Sequence, residues 1–289
     1  MSEIAIVTDR GCDLSAEQQR SHDVTVVPLI VRFGDEVIFD DGSLSADAFW
    51  EKVTAGPPFP ETSQPSPGMF EEIFAPLVAA GKHVLCPLIS GRLSGTFNAA
   101  RLAAQGFPGK ITVFDTRSLS LGQALQVLQA ARAAREGLAL DAIVRMLEDL
   151  RERCHLIILL DTVEFLRRGG RAAKVLPLVK RVVKALRVKV LLRLADGELQ
   201  VMGVVRSRAK GVRRVMDEVA KLGAIEALAA AHTRRPDEAR DVAATLAQRL
   251  GLAVDAVLVA EAGPALSSHA GPGVIAAAAL QGRGSVTTS

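Results

Sequence analysis

The strongest constraint on the fold is the alternation of short aliphatic runs with helix-period segments through the first half of the chain. Residues 4–7 form a buried strand that stops at Asp9, and residues 84–89 and 111–114 form two more. Between and after them lie helical patterns. One spans 67–80, where Phe70, Ile73, Phe74 and Leu77 recur at helical spacing; one ends at about Gln105; two more span 120–136 and 140–153 on either side of Gly137. Parallel strands need long crossovers, so strands alternating with helices argue for a parallel sheet with helical cover. Residues 24–33 are β-rich, Gly34-Asp35 before 37–39 signals a hairpin, and Ser45 opens a helix over 46–54.

The segment from Gly56 to Pro67 reads as a loop. Pro57, Pro58, Pro60, Pro65 and Pro67 fix φ and stiffen it. It is either a linker or a rigid loop that holds Thr62 and Ser63 in place. Beyond it, the second half changes character. A strand over 156–160 precedes a short helix over 163–168 that ends at Gly169-Gly170. Asp196-Gly197, between β-rich 188–194 and 198–205, is a two-residue hairpin signal and marks an antiparallel element. A helix over 209–222, a strand over 227–231, a helix over 237–250 and a strand over 257–261 follow. Gly271-Pro272-Gly273 then opens an apolar run, 274–280, and 281–289 reads as a frayed tail. The expected architecture is α/β with two α/β domains: residues 1–155 with a mostly parallel sheet, and residues 156–289 with a mixed sheet and helices.

Composition narrows the function. Hydrophobic residues make up 49% and aromatics only 4%, so aliphatic side chains must fill the core. No apolar tract of about 20 residues occurs, which argues against a transmembrane helix, and the first ten residues lack the pattern of a secretory signal. Cys12, Cys86 and Cys154 are far apart and odd in number, as expected of reduced cytoplasmic thiols rather than a disulfide frame or zinc site. A net charge of +3 is too small to argue for nucleic acid. No Walker phosphate loop occurs. The run from Gly271 to Ala276 fits a dinucleotide fingerprint formally, but no strand precedes it and too little chain follows. Gly91-Arg92-Leu93-Ser94-Gly95 is one residue too long for a hydrolase nucleophile elbow. The histidines show no ligand pair at helical spacing, so no metal is expected.

Three features remain. Ser94, Gly95 and Thr96 fall at a strand-to-helix turn, where a helix start offers unpaired N–H groups to an anion. There Ser94 either caps its own helix or serves a ligand, Gly95 permits close approach, and Thr96 is a second donor. The region 167–193 carries Arg168, Arg171, Lys174, Lys180, Arg181, Lys184, Arg187 and Lys189, with no acid between Phe165 and Ala195. It is either a solvated helix face or a surface for a phosphate-bearing ligand or acidic partner; the aromatic residues that would stack single-stranded nucleic acid are absent from it. His269, just before Gly271-Pro272-Gly273, is a structural or a ligand-facing histidine.

Ser94-Gly95-Thr96 with Asn98-Ala99-Ala100 resembles the DegV family. So do Ile6-Val7-Thr8-Asp9, Thr62-Ser63-Gln64-Pro65, Phe114-Asp115-Thr116, Leu166 to Arg171 and His269 to Gly273, in the family's order. The resemblance implies a DegV-like fold of two α/β domains with a long acyl pocket, and a cytosolic protein that binds a long-chain fatty acid without a further cofactor. It implies that the carboxylate lies by the loops of Thr62, Ser63, Ser94, Gly95 and Thr96, with Arg171 adding positive charge and His269 close by. It further implies a carrier rather than an enzyme, one that presents its fatty acid to a separate fatty acid kinase subunit for acyl-phosphate formation in phospholipid synthesis, with Arg206 facing that partner. The chain departs from the pattern at Arg10, Ala270 and Val190, where the family commonly has Ser, Thr and Pro. The fold also resembles the substrate-binding part of dihydroxyacetone kinases. That resemblance implies an alternative, a small ketone held covalently by His269 or His232. A long apolar cavity would favour the lipid and a small polar one the ketone.

Overall fold

The computed structural model describes residues 3–168 and 188–283. The first half runs β1 (Ile4–Asp9), α1 (Ala16–Ser21), β2 (Val24–Val27), β3 (Leu29–Phe33), β4 (Glu36–Asp40), α2 (Ala46–Thr54), β5 (Glu61–Ser63), α3 (Pro67–Ala79), β6 (His83–Leu88), α4 (Thr96–Ala104), β7 (Ile111–Asp115), α5 (Ser120–Arg135) and α6 (Leu140–Arg153). The second runs β8 (Cys154–Leu160), α7 (Glu164–Arg168), β9 (Lys189–Ala195), β10 (Glu198–Val205), α8 (Arg208–Ala220), β11 (Ile225–His232), α9 (Pro236–Leu250), β12 (Leu258–Glu261), α10 (Pro264–Ala270) and β13 (Ile275–Gln281).

Sheet order follows from these patterns. The first sheet, β2-β1-β6-β7, is parallel throughout. The second, β10-β9-β8-β13-β11-β12, is antiparallel except for β11 beside β12. A third, small sheet, β4-β3-β5, is antiparallel. Helices α5 and α6 pack between the two large sheets, so one aliphatic core joins Ile6 and Leu85 of the first to Ile158, Leu192 and Ala276 of the second. Phe70 and Phe74 of α3 cover the outer face of the first sheet, and Val215 and Val219 of α8 with Val242 and Leu246 of α9 cover the second. Helix α3 shows the local logic: Ser66 caps it by accepting from Met69 N–H, Pro67 sits where its missing N–H costs nothing, and the two phenylalanines, one turn apart, are fully buried.

Several expectations change in detail. The β-rich stretch 24–33 is two strands in two sheets. Pro28, which lacks a ladder donor, stands between β2 and β3 where the chain switches sheet. The proline-rich loop contains β5, whose Thr62 lies opposite Val31 of β3. Helix α4 begins at Thr96 with Gly95 as its N-cap and no side-chain cap, so Ser94 lies one residue outside the capping position. Gln281 belongs to β13 and is bonded on both sides, not frayed. The Asp196-Gly197 turn forms as expected, with both residues at positive φ. A Cβ on Gly197 would also lie 2.5 Å from Ser90 Oγ, so only glycine fits. The division expected between residues 155 and 156 falls inside β8, near its start.

Candidate functional site

A cavity of about 110 Å³ lies where the carboxyl end of β6, the small sheet and the inner face of the second sheet meet. Side-chain alternation builds its wall. Ile158 and Leu160 point from β8 to one face, and Leu192 of β9, opposite Ile158, continues that face. Leu29, Leu119, Leu166, Leu199 and Leu266 extend it. Among the described lining residues the only non-aliphatic side chains are Thr62, Ser63, Ser94 and His269, and none is an acid, lysine or arginine. An aliphatic wall with a few convergent polar groups suits a ligand that is mostly hydrocarbon with one polar end.

The loop carrying Ser94 is fixed from beneath. Ile89 N–H donates to Asp9 Oδ2 (2.7 Å), Thr116 Oγ1–H donates to Leu88 O (2.7 Å), and Ser90 Oγ–H donates to Gly197 O (2.7 Å). Ser94 N–H closes a turn on Ser90 O at 3.1 Å. Ser94 Oγ accepts from Thr96 N–H (3.3 Å) and lies 2.8 Å from Thr96 Oγ1. When the buried Thr96 hydroxyl donates in that pair, Ser94's own proton points elsewhere, toward whatever occupies the cavity. Thr96 thus orients Ser94 and is itself fully buried. Gly95 faces the Gln64 side chain, whose Cδ would lie 2.9 Å from a Cβ at that position.

Thr62 and His269 stand 207 positions apart in sequence, yet Thr62 Oγ1 and His269 Nε2 are 2.6 Å apart. The small sheet brings Thr62 to this point and α10 brings His269. With the imidazole Nε2–H donating to Thr62, the threonine hydroxyl can donate onward to an anion; the opposite tautomer reverses the pair. Ser63, next along β5, also lines the cavity. His232 ends β11, is buried, and accepts from Arg235 N–H through Nδ1 (3.3 Å); burial lowers its pKa, and it is not among the described lining residues.

Arg171 lies outside the described residues, as do Lys174, Lys180, Arg181, Lys184 and Arg187. Within the described part of the basic region, Arg168 pairs with Glu164 and covers the Phe59 ring, Lys189 pairs with Asp161 at 2.8 Å, and Arg193 donates to Gln200. Arg206 is exposed immediately before α8.

Buried carboxylates to which the sequence reading assigned no role hold this site together. Asp9 accepts from Gly11 N–H, Ile89 N–H and Gln123 Nε2–H. Burial, only partly offset by these donors, raises its pKa to about 6. Asp13 accepts from Gly263 N–H (2.8 Å) and Ser120 Oγ–H (2.6 Å), and burial raises it to about 7. Asp40 accepts from Ala265 N–H (2.9 Å) and Arg10 Nε–H (3.3 Å), and burial again raises its pKa. A usable signal existed for the helix they hold: Gly263-Pro264 has the form of an N-cap and first turn. Among the described residues no group of His, Cys, Asp and Glu could hold a metal ion, and no helix is long and apolar enough to cross a membrane.

The family model described as "Uncharacterised protein, DegV family" matches residues 3–282. A DegV domain-containing protein of Deinococcus radiodurans is 38% identical over 280 residues, covering 95% of this chain and 97% of the relative. The solved structure of a fatty-acid-binding DegV family protein from Thermus thermophilus has a TM-score of 0.85 and 34% identity, covering 96% of this chain and 99% of that one. A stearic-acid-binding protein from Eubacterium ventriosum has a TM-score of 0.85 and 26% identity, covering 97% of this chain and 99% of that one.

Proposed function

The chain belongs to the DegV family, and from that premise we propose that it is a cytoplasmic carrier that holds one long-chain fatty acid and presents its carboxylate to a separate fatty acid kinase subunit. The observation that carries the lipid part is the cavity: aliphatic along its described wall, with Thr62, Ser63, Ser94 and His269 as its polar groups. The relatives from Thermus thermophilus and Eubacterium ventriosum, described as binding fatty acid and stearic acid, support the same ligand class.

The energetics assign different tasks to wall and polar groups. Roughly 14 buried methylenes at about 0.8 kcal/mol each contribute a gross term near 11 kcal/mol. Association and chain ordering remove several kcal/mol of it. A carboxylate left without partners in such a wall would cancel much of the remainder. Each hydrogen bond to that charge returns about 1.5–3 kcal/mol. Affinity thus comes mainly from the chain, while Thr62 and Ser94 fix where the carboxylate stops. His269 acts on the head group through Thr62 or through water, and Gly95 and Thr96 shape the Ser94 turn. Arg171 supplies positive charge by family analogy, and Arg206 faces the partner. As a carrier the protein has no catalytic residue of its own; the phosphoryl transfer belongs to the kinase.

The test is solvent extraction of the purified protein followed by mass spectrometry. One fatty acid per chain is expected. A clean extract from a protein that also fails to bind added fatty acid would overturn the reading. No observation favours the small-ketone alternative, since the cavity lined by His269 is aliphatic and His232 is not among its described lining residues.

A further inference from the structure

We propose that Asp40, held by Arg10, is a positioning residue for the head-group end of the cavity: it sets where α10 places His269 against Thr62. The proposal rests on the fatty-acid reading above.

Helix α10 has seven residues, under two turns, too short to hold a helical shape or a position by itself. Yet it supplies Ala265, Leu266, His269 and Ala270 to the cavity wall. Its place therefore comes from its surroundings: Ala265 packs beside Leu29 and Trp50, Gly263 N–H before the helix donates to Asp13, and side chains of the small sheet meet both ends. At the carboxyl end, His269 meets Thr62 of β5 at 2.6 Å. At the amino end, Ala265 N–H donates to Asp40 Oδ2 at 2.9 Å. Asp40 closes β4, and both β4 and β5 are bonded to β3. The same small sheet thus holds α10 at both ends, and its fixed strand spacing is converted into the Thr62–His269 approach.

Asp40 is itself immobilised. It is 2% exposed, its other oxygen accepts from Arg10 Nε–H, and Arg10 Nη1–H donates to Leu14 O at 2.9 Å. One carboxylate oxygen is committed to the helix and the other to the arginine, so the group cannot rotate without losing a charged hydrogen bond. Gly263, the residue before the helix, shows how closely the carboxylates approach. A Cβ there would lie 3.2 Å from Asp40 Oδ2 and 3.4 Å from Asp13 Oδ1. Its φ of −64° and ψ of 168° suit alanine as well as glycine, so only the close approach resists a side chain.

The experiment compares affinities for palmitic acid and for 1-hexadecanol, by displacement of a fluorescent fatty acid, in wild type and in Asp40→Ala, Gly263→Ala and Thr62→Val. The alcohol shares the chain and lacks the carboxylate. A role confined to stability lowers both affinities together. A positioning role lowers the acid-over-alcohol ratio, by about tenfold for Asp40→Ala, the worth of one charged hydrogen bond. The carboxyl 13C shift of bound labelled palmitic acid moves with it. Gly263→Ala keeps every bonding group, shifts α10 by a few tenths of an ångström, and is expected to move both readouts the same way by less; it decides the matter if Asp40→Ala does not fold. Wild-type ratio and shift in the two clamp variants, with a lowered ratio in Thr62→Val, would overturn the proposal and leave the head-group site standing. An unchanged ratio in Thr62→Val as well would overturn the head-group reading and this proposal with it.

Discussion

Replacing Asp13 with asparagine is expected to stabilise the protein at alkaline pH. Burial raises the Asp13 carboxyl from 3.8 to about 7, and the Gly263 N–H, the Ser120 hydroxyl and Arg10 only partly oppose this, while Asp40 adds to it. Between those two values the folded chain holds a proton that the unfolded chain has released. The unfolding free energy therefore falls as pH rises, and the stabilisation present in acid is lost on passing through about 7. At about 1.36 kcal/mol per pKa unit, this one group contributes about 2–3 kcal/mol at pH 5 and almost nothing at pH 8. Asparagine mimics the protonated acid: its Oδ1 accepts from Gly263 N–H, and its amide donates to Ser120 Oγ. The advantage of Asp13→Asn over wild type should therefore grow by about 2–3 kcal/mol between pH 5 and pH 8. Asp9, also raised by burial, and His83 and His232, lowered by burial, titrate in both proteins and cancel in the difference. Urea unfolding followed through Trp50, the single tryptophan and a buried one, measures it from pH 5 to 8. A variant less stable than wild type at pH 8, or a difference that does not change with pH, would show that Asp13 is ionised in the folded state throughout and refute the reasoning.

Combining Thr62→Val with Ser94→Ala removes two hydrogen bonds to the carboxylate and should weaken fatty-acid binding about 10²- to 10⁴-fold and reduce acyl-phosphate formation by the kinase further; undiminished phosphorylation would remove the assigned head-group site. Leu160→Phe adds bulk to the cavity wall and should shift the retained acids to shorter chains, and an unaltered chain-length distribution by mass spectrometry would count against this cavity as the acyl site. Arg206→Ala should leave lipid affinity within about twofold, given how little exposed charges contribute, while slowing turnover by the kinase; normal turnover would exclude Arg206 from the docking surface.

Periodicity was enough for the long elements. The strands from Ile4 and His83 and the helices from Pro67, Ser120 and Leu140 are present as expected: the two strands carry unbroken apolar runs and are buried on both faces, and the helices from Pro67 and Leu140 repeat apolar residues at helical spacing. The Asp196-Gly197 hairpin was equally legible, since its turn requires positive φ at both positions and these residue types tolerate it. Short elements were not. Three residues of β5 and seven of α10 hold too little pattern to register a period, and both exist because the small sheet grips them. Gly95 rather than Ser94 as the cap of α4 depends on one residue of backbone geometry.

The chain by itself determined the α/β alternation, the aliphatic composition of the core and, through short ordered motifs, the family and the candidates Thr62, Ser94 and His269. Tertiary structure decided what those candidates do to one another. Thr62 and His269 are 207 residues apart, and Asp40 and Ala265 are 225 apart. No local preference encodes such a distance. It follows from the register of β5 on β3, the end of β4 and the anchoring of one short helix, and these are settled only when the sheets have packed.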